Sequence, residues 1–177
     1  MLDNLQTLIE NGESEHLEFK SSFGREAIET LSAFANTEGG AVLIGINDKG
    51  KTIGTQTTQE SIQQWINQIK NSTLPSIIPD AESFTHKGKK VIRLSVISYP
   101  IKPISCKGKY YKRIHNSNHL MDLNEIANEH LKTINLSWDF AQDPSHGVND
   151  ISLEKVNQFI ERSNRFREYP ISDDPNT

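Results

Sequence analysis

Apolar residues recur along this chain in two rhythms, one of helices and one of strands, and their order predicts the elements. Leu2, Leu5, Leu8 and Ile9 fall at helical spacing and Asn11-Gly12 stops the run, which predicts a short opening helix with a packing role. Glu15 to Lys20 alternates instead, with Leu17 and Phe19 on one side and His16, Glu18 and Lys20 on the other, as in a half-buried strand with a polar face. From Arg25 to Thr37, Ile28, Leu31, Phe34 and Ala35 share a helix face, and Glu26 and Glu29 sit near the end where the helix dipole favours carboxylates. Gly39-Gly40 can take the positive φ that ends a helix and reverses the chain. Ala41 to Ile46 is then almost unbroken in apolarity, the pattern of a strand covered on both faces. The rest of the chain is organised around this segment, and Asp48 falls just past its carboxyl end, where open α/β sheets place ligand sites.

Asn47-Asp48-Lys49-Gly50 is a turn by composition, and the β-branched residues of Thr52 to Thr55 predict a returning strand, so Ala41 to Thr55 reads as a hairpin. Thr58 caps a helix from Gln59 to Asn71 whose inner face carries Ile62, Trp65, Ile66 and Ile69. Leu74-Pro75 and Ile78-Pro79 break it and open a β-rich half. That half holds strands at Ala81 to Thr85, at Val91 to Ile97 with Val91, Arg93, Ser95 and Ile97 alternating, and at Lys109 to Ile114, the last an edge or outer strand. Asp122 caps a further helix, Leu123 to Lys132, with Ile126, Ala127 and Leu131 inward. Beyond Thr133 come a helix from Leu153 to Arg165 and a polar end, Ser172 to Thr177, that reads as the opening of a linker to further protein. The expected fold class is α/β (α+β), a mixed sheet flanked by helices over residues 1–132, with a helical extension or linker over 133–177.

Composition narrows the function classes. No apolar run approaches the ~18 residues of a membrane span, and no basic start precedes an apolar stretch, so a cytoplasmic protein is expected. Cys106 is the one cysteine, which excludes an intrachain disulfide and a cysteine-rich zinc site. The net charge is −4, yet Ser83 to Met121 contains nine Lys and Arg residues and no Asp or Glu. Such asymmetry points to a polyanion partner. Lys107, Lys109, Lys112 and Arg113 are interleaved with Tyr110 and Tyr111, and alternation puts Lys109, Tyr111 and Arg113 on one strand face. Cationic side chains would meet phosphates there, and a tyrosine ring offers a surface for stacking an unpaired base.

Gly45 to Thr52 matches the P-loop pattern of a nucleotide site and follows a strand. A P-loop needs a helix to begin at its Gly-Lys-Thr so that amides and dipole hold the phosphates. Thr52 to Thr55 is β-branched, contains Gly54, and gives way to a helix only near Thr58, so a turn is expected and ATP is not. Cys106, His115 and His119 lack a zinc-ligand spacing, and Asn116-Ser117-Asn118 argues against the helix that would bring the two rings together. Three carboxylates stand out: Glu13 before the first strand, Glu18 on its polar face and Asp48 past the central strand. If the strands are neighbours these acids converge, and grouped carboxylates hold magnesium or manganese, which polarise a phosphate and activate water.

Glu13-Ser14-Glu15-His16-Leu17-Glu18-Phe19-Lys20, followed by Ala33 to Gly40 and Ile44 to Asp48, resembles the Alba-like domain of the Schlafen family, and the resemblance extends through Tyr111-Lys112-Arg113-Ile114 to about Lys132. It implies a mixed α/β fold and nucleic-acid binding, to DNA or structured RNA. In prokaryotes such domains open longer proteins described as transcriptional regulators or relatives of a DNA helicase. In animal Schlafens the related core is a metal-dependent endoribonuclease whose acidic positions correspond by motif to Glu13, Glu18 and Asp48; Lys20, on the same strand face as Glu18, is expected to offset phosphate charge. The animal core has two such lobes and a zinc site, whereas this chain has one lobe, which implies a homodimer.

Overall fold

The apolar segment after Gly39 becomes β2 (Gly39–Ile44), and its side chains alternate between two apolar clusters on opposite faces of a sheet. Val42 and Ile44 enter the larger cluster, Ala41 and Leu43 the smaller. β1 (Leu17–Lys20) runs parallel to β2, and β5 (Lys89–Ile97) runs antiparallel on its other side. β4 (Asp80–His86) completes a mixed four-stranded sheet of order β1-β2-β5-β4. These elements come from a computed structural model that describes residues 5–134 and 150–167. The chain divides into units of residues 1–136 and 137–177.

On the larger face lies α2 (Arg25–Asn36), which buries Ile28, Leu31, Phe34 and Ala35, beside α3 (Gln59–Ser72), which buries Ile62 and Ile69. Each such aliphatic or aromatic side chain contributes about 1.5–3 kcal/mol by leaving water. α2 is covered in turn by a second sheet, β3 (Thr73–Leu74), β6 (Ser105–Cys106), β7 (Lys109–Ile114) and β8 (Ser117–Leu120), in the order β3-β6-β7-β8. A buried amide pins the layers: Asn36 Nδ2 donates to the carbonyls of Ile104 (2.8 Å) and Tyr111 (2.9 Å), and its Oδ1 accepts from the Ile104 N–H (2.7 Å). The smaller face is covered by Leu5, Leu8 and Ile9, from α1 (Leu5–Asn11). α4 (Leu123–Thr133) begins with a capping box between Asp122 and Glu125. In the second unit α5 (Leu153–Asn164) is capped by Ser152, whose hydroxyl accepts from the Lys155 N–H.

Four expectations change. Lys109 to Ile114 is not an edge strand: β6 pairs with its first residues and β8 with Tyr111 to Ile114. The two-residue turn at His115-Asn116 was hidden because it carries no glycine; His115 takes the left-handed conformation itself, with φ 54. The predicted hairpin over Ala41 to Thr55 reduces to one bridge, Ile46 with Thr52, because Gly45 (φ 103) swings the chain out of line and accepts the N–H groups of both Ile53 and Gly54. In β5 the buried residues are Val91, Ile92, Leu94 and Val96, as suits a strand covered on both faces, and Ile97 is exposed. In α4 Ile126 and Leu131 are half-buried but Ala127 is exposed. The expectations for Leu2 and for Ser172 to Thr177 lie outside the described residues.

The β2 start tolerates no side chain, because a Cβ at Gly40 would meet the His16 carbonyl and the Phe34 ring, each at 2.8 Å. Gly40→Ala should therefore cost about 1–3 kcal/mol through overpacking. Urea unfolding should show a lower midpoint with an unchanged slope, and an unchanged midpoint would refute this packing.

Candidate nucleic-acid interface

Alternation along β7 holds, but on the face shared by Lys109, Tyr111 and Arg113 only Lys109 is exposed, while Tyr111 and Arg113 lie against α2. Arg113 is only 6% exposed. Its Nη1 sits 2.7 Å from Glu18 Oε2 and donates to Asn118 Oδ1 (2.9 Å), and its Nη2 donates to the carbonyls of Ser14 (3.0 Å) and Leu17 (3.5 Å). The guanidinium carbon lies 5.0 Å from the centre of the Phe34 ring. Buried, with both terminal nitrogens engaged inside the protein, Arg113 is not a phosphate contact, which corrects the expectation for that residue. Tyr111 is half-buried against the larger cluster, with its hydroxyl donating to Glu29 Oε1 (3.0 Å), so the ring is packed and not offered for stacking. Lys112 pairs with Glu125, and Lys20 with Glu18 (3.0 Å) and Glu26 (3.6 Å). Of the basic residues singled out from sequence, Lys107 and Lys109 are exposed and enter no ion pair among the described residues.

A second basic group gathers at one end of the first sheet. The β4–β5 turn carries Lys87, Lys89 and Lys90, and the loop after β2 carries Lys49 and Lys51; all are exposed and none pairs with a described carboxylate. Loop and turn are tied together. Thr55 N–H donates to the Lys90 carbonyl (2.9 Å), Lys90 Nζ to the Thr57 carbonyl (2.8 Å) and Lys89 Nζ to the Thr52 carbonyl (3.5 Å), and the Thr52 hydroxyl meets His86 Nδ1 at 2.6 Å. Lys49 and Lys51 were missed in the sequence because a P-loop match absorbed them. The usable signal was the repeated Lys-Gly-Lys, which places lysines around a tight turn three times, at Lys49 to Lys51, Lys87 to Lys89 and Lys107 to Lys109. No helix begins at Lys51: α3 starts at Gln59, so the P-loop match lacks the amide cradle that phosphates need.

Glu13, Glu18 and Asp48 line one cleft of about 730 Å³, together with Lys20 and Glu26. Glu13 Oε1 accepts the Phe19 N–H at 3.1 Å. Burial, and then the hydrogen bond to Glu18, raise the Glu13 carboxyl above the ordinary range. Burial pushes Glu18 the same way, but hydrogen bonds from Glu13, Lys20 and Arg113 outweigh it and its carboxyl is lowered. Each Glu18 oxygen already faces an internal cation. Asp48 is exposed at the rim. Among the described residues no three carboxylate, histidine or cysteine side chains are grouped closely enough to hold an ion. Cys106 is buried at 3% exposure, and His115 and His119 are exposed in the β7–β8 hairpin.

Removing one partner of a buried pair strands the other charge. Arg113→Ala should therefore lose about 3–5 kcal/mol of unfolding free energy, whereas Lys109→Ala should leave it unchanged. Because the Glu18 carboxyl lies below its ordinary 4.5 in the folded chain, its contribution is complete above about pH 4.5 and is lost as the pH falls through the lowered value. Glu13, raised when folded, opposes this: its contribution is present at low pH and fades as the pH rises through its raised value. Urea titrations of both variants test the assignment, and an Arg113→Ala chain as stable as the parent would refute it.

Comparison with known proteins fits this fold. Over 100 residues the chain is 36% identical to an uncharacterised ATP-binding protein of Ureaplasma parvum serovar 3, a match that covers 49% of this chain and 28% of that protein. It therefore spans less than a third of that relative's length. The DIP2311 protein of Corynebacterium diphtheriae shares the fold, with a TM-score of 0.54 and 21% identity over 81% of this chain and 32% of that one. The N-terminal domain of a RecG-related protein from Nitrosomonas europaea aligns with a TM-score of 0.47 and 25% identity, covering 66% of this chain and 92% of that one. Residues 13–122, the span from the first acid of the cleft to the cap of α4, match the Schlafen AlbA_2 family, and the chain belongs to it.

Proposed function

We propose that this chain is the nucleic-acid-binding domain of a transcriptional regulator and holds duplex DNA through its phosphates. One observation carries the reading: the exposed lysines that no described carboxylate neutralises are grouped, at the β4–β5 turn with the adjoining loop and at Lys107 and Lys109, while Arg93, Lys112 and Arg113 of the acid-free segment are paired with carboxylates and Lys102 is half-buried on the Thr37 carbonyl. Exposed lysines neutralise phosphates and release condensed counterions, a mode that fixes position on the backbone without reading bases. Replacing Lys87, Lys89 and Lys90 with Ala should weaken binding to all duplex sequences alike and make the dependence of log affinity on log salt shallower by about 0.9 for each phosphate no longer neutralised. Fluorescence anisotropy across a salt series measures both quantities. An unchanged affinity and slope would mean that these lysines are only solvated.

A second reading, a metal-dependent endoribonuclease, has in its favour that Glu13, Glu18 and Asp48 share one cleft. Against it stand Lys20 and Arg113 on Glu18. Asp48→Asn separates the two readings cleanly, because Asp48 is exposed at the cleft rim and its loss leaves no buried charge. A nuclease requires manganese-dependent cutting of structured RNA that Asp48→Asn abolishes while RNA binding persists. A parent chain that cuts nothing with or without manganese removes this reading.

A further inference from the structure

The two edges of the first sheet are treated differently. At β1 the outward groups are sealed: the Leu17 carbonyl accepts the Ser14 N–H (2.9 Å) and Arg113 Nη2 (3.5 Å), and the Phe19 N–H is taken by Glu13 (3.1 Å). β4 has no such cover. It is seven residues long, pairs with β5 in continuous register from Asp80 with Ser95 to His86 with Lys89, and holds no bulge, proline or lysine. Exposed edges are normally shortened, bulged or charged to stop them pairing. The turn that closes this hairpin, Lys87-Gly88, has φ values of 50 and 73, the primed type whose flanking residues exchange hydrogen bonds. His86, Phe84, Glu82 and Asp80 therefore bond to β5, and Ala81, Ser83 and Thr85 turn their N–H and C=O groups outward. The Lys90 carbonyl agrees with this parity, since it points away from β4 to the Thr55 N–H (2.9 Å). Ala81, Ser83 and Thr85 are all exposed, and among the described residues no backbone group outside β5 bonds to them.

We infer that β4 is a dimerisation strand that pairs antiparallel with β4 of a second copy about a two-fold axis through Ser83, joining the two sheets into one. The occupant follows from the strand's own sequence. In that register Ser83 faces Ser83, Ala81 faces Thr85, Glu82 faces Phe84 and Asp80 faces His86, so no like charges oppose each other. Every outward main-chain group from Ala81 to Thr85 gains a partner, and the small side chains of Ala81, Ser83 and Thr85 allow the approach. The surface is independent of the phosphate-binding reading, and its test uses no nucleic acid.

Sedimentation of the full chain over a micromolar-to-millimolar series should show a concentration-dependent dimer. Ser83→Pro removes an N–H that β5 does not use, and proline is tolerated on an edge strand; this variant should sediment as a monomer with an unchanged unfolding midpoint. Ser83→Lys sets two like charges opposite each other and should do the same, which covers the case of a proline variant that fails to fold. Ser83→Cys should form a covalent dimer under mild oxidation, since paired residues of this kind lie about 5.5 Å apart at Cα, within disulfide range, and Cys106 is buried. A parent that stays monomeric, a dimer that survives both Ser83→Pro and Ser83→Lys, or a Ser83→Cys chain that does not cross-link would each overturn the inference.

Discussion

The interaction on which the rest of this unit depends is the buried pair of Arg113 and Glu18. It joins β7 of the second sheet to β1 of the first across the top of α2, with the Phe34 ring beneath the guanidinium. Taking two charges out of water is costly, and this pair offsets the cost with further hydrogen bonds from Arg113 to Asn118 and to the carbonyls of Ser14 and Leu17. Those same bonds seal the β1 edge and hold the turn that carries Glu13. The acidic cleft, the closed edge and the packing of β7 thus share one support.

That support also redistributes the charge. A segment without acids looks like a basic face when read along the chain, yet carboxylates from elsewhere fold back onto it: Glu18 onto Arg113, Glu125 onto Lys112, Glu82 beside Arg93. Lys102 is spent on the Thr37 carbonyl and the Ser98 hydroxyl. The free positive charge is left at the turns, where side chains project beyond the sheet and no acid reaches. A polyanion would therefore meet loop ends and not the broad face of a strand.

Much of the architecture was legible in the sequence because its signals were local. The Thr58 and Asp122 caps fixed the starts of α3 and α4, the spacing of Ile28, Leu31 and Phe34 gave α2 its inner face, and the unbroken apolarity of Ala41 to Ile46 marked the strand with neighbours on both sides. That Glu13, Glu18 and Asp48 share one cleft was legible once β1 and β2 were read as adjacent. What alternation could not supply was the identity of the two faces of β7: period two puts Lys109, Tyr111 and Arg113 together but does not say that α2 lies over Tyr111 and Arg113 and leaves Lys109 exposed. The β7–β8 hairpin was missed for a physical reason too, since His115 bears the left-handed turn that a glycine would have advertised. Alternation put Glu18 and Lys20 on one strand face, but the partners that neutralise Lys112 and Arg113 lie far along the chain, and no local pattern encodes them.

The central claim is that phosphates are held by the lysines that folding leaves unpaired. The most direct measurement is a titration of nitrogen-15-labelled protein with short duplex DNA, read as amide shift changes residue by residue. Changes centred on Lys49 to Lys51, Lys87 to Lys90 and Lys107 to Lys109, shrinking as salt rises, are the predicted result. Changes confined to Glu13, Glu18 and Lys20, or to the inner face of β7 around Arg113, would contradict it.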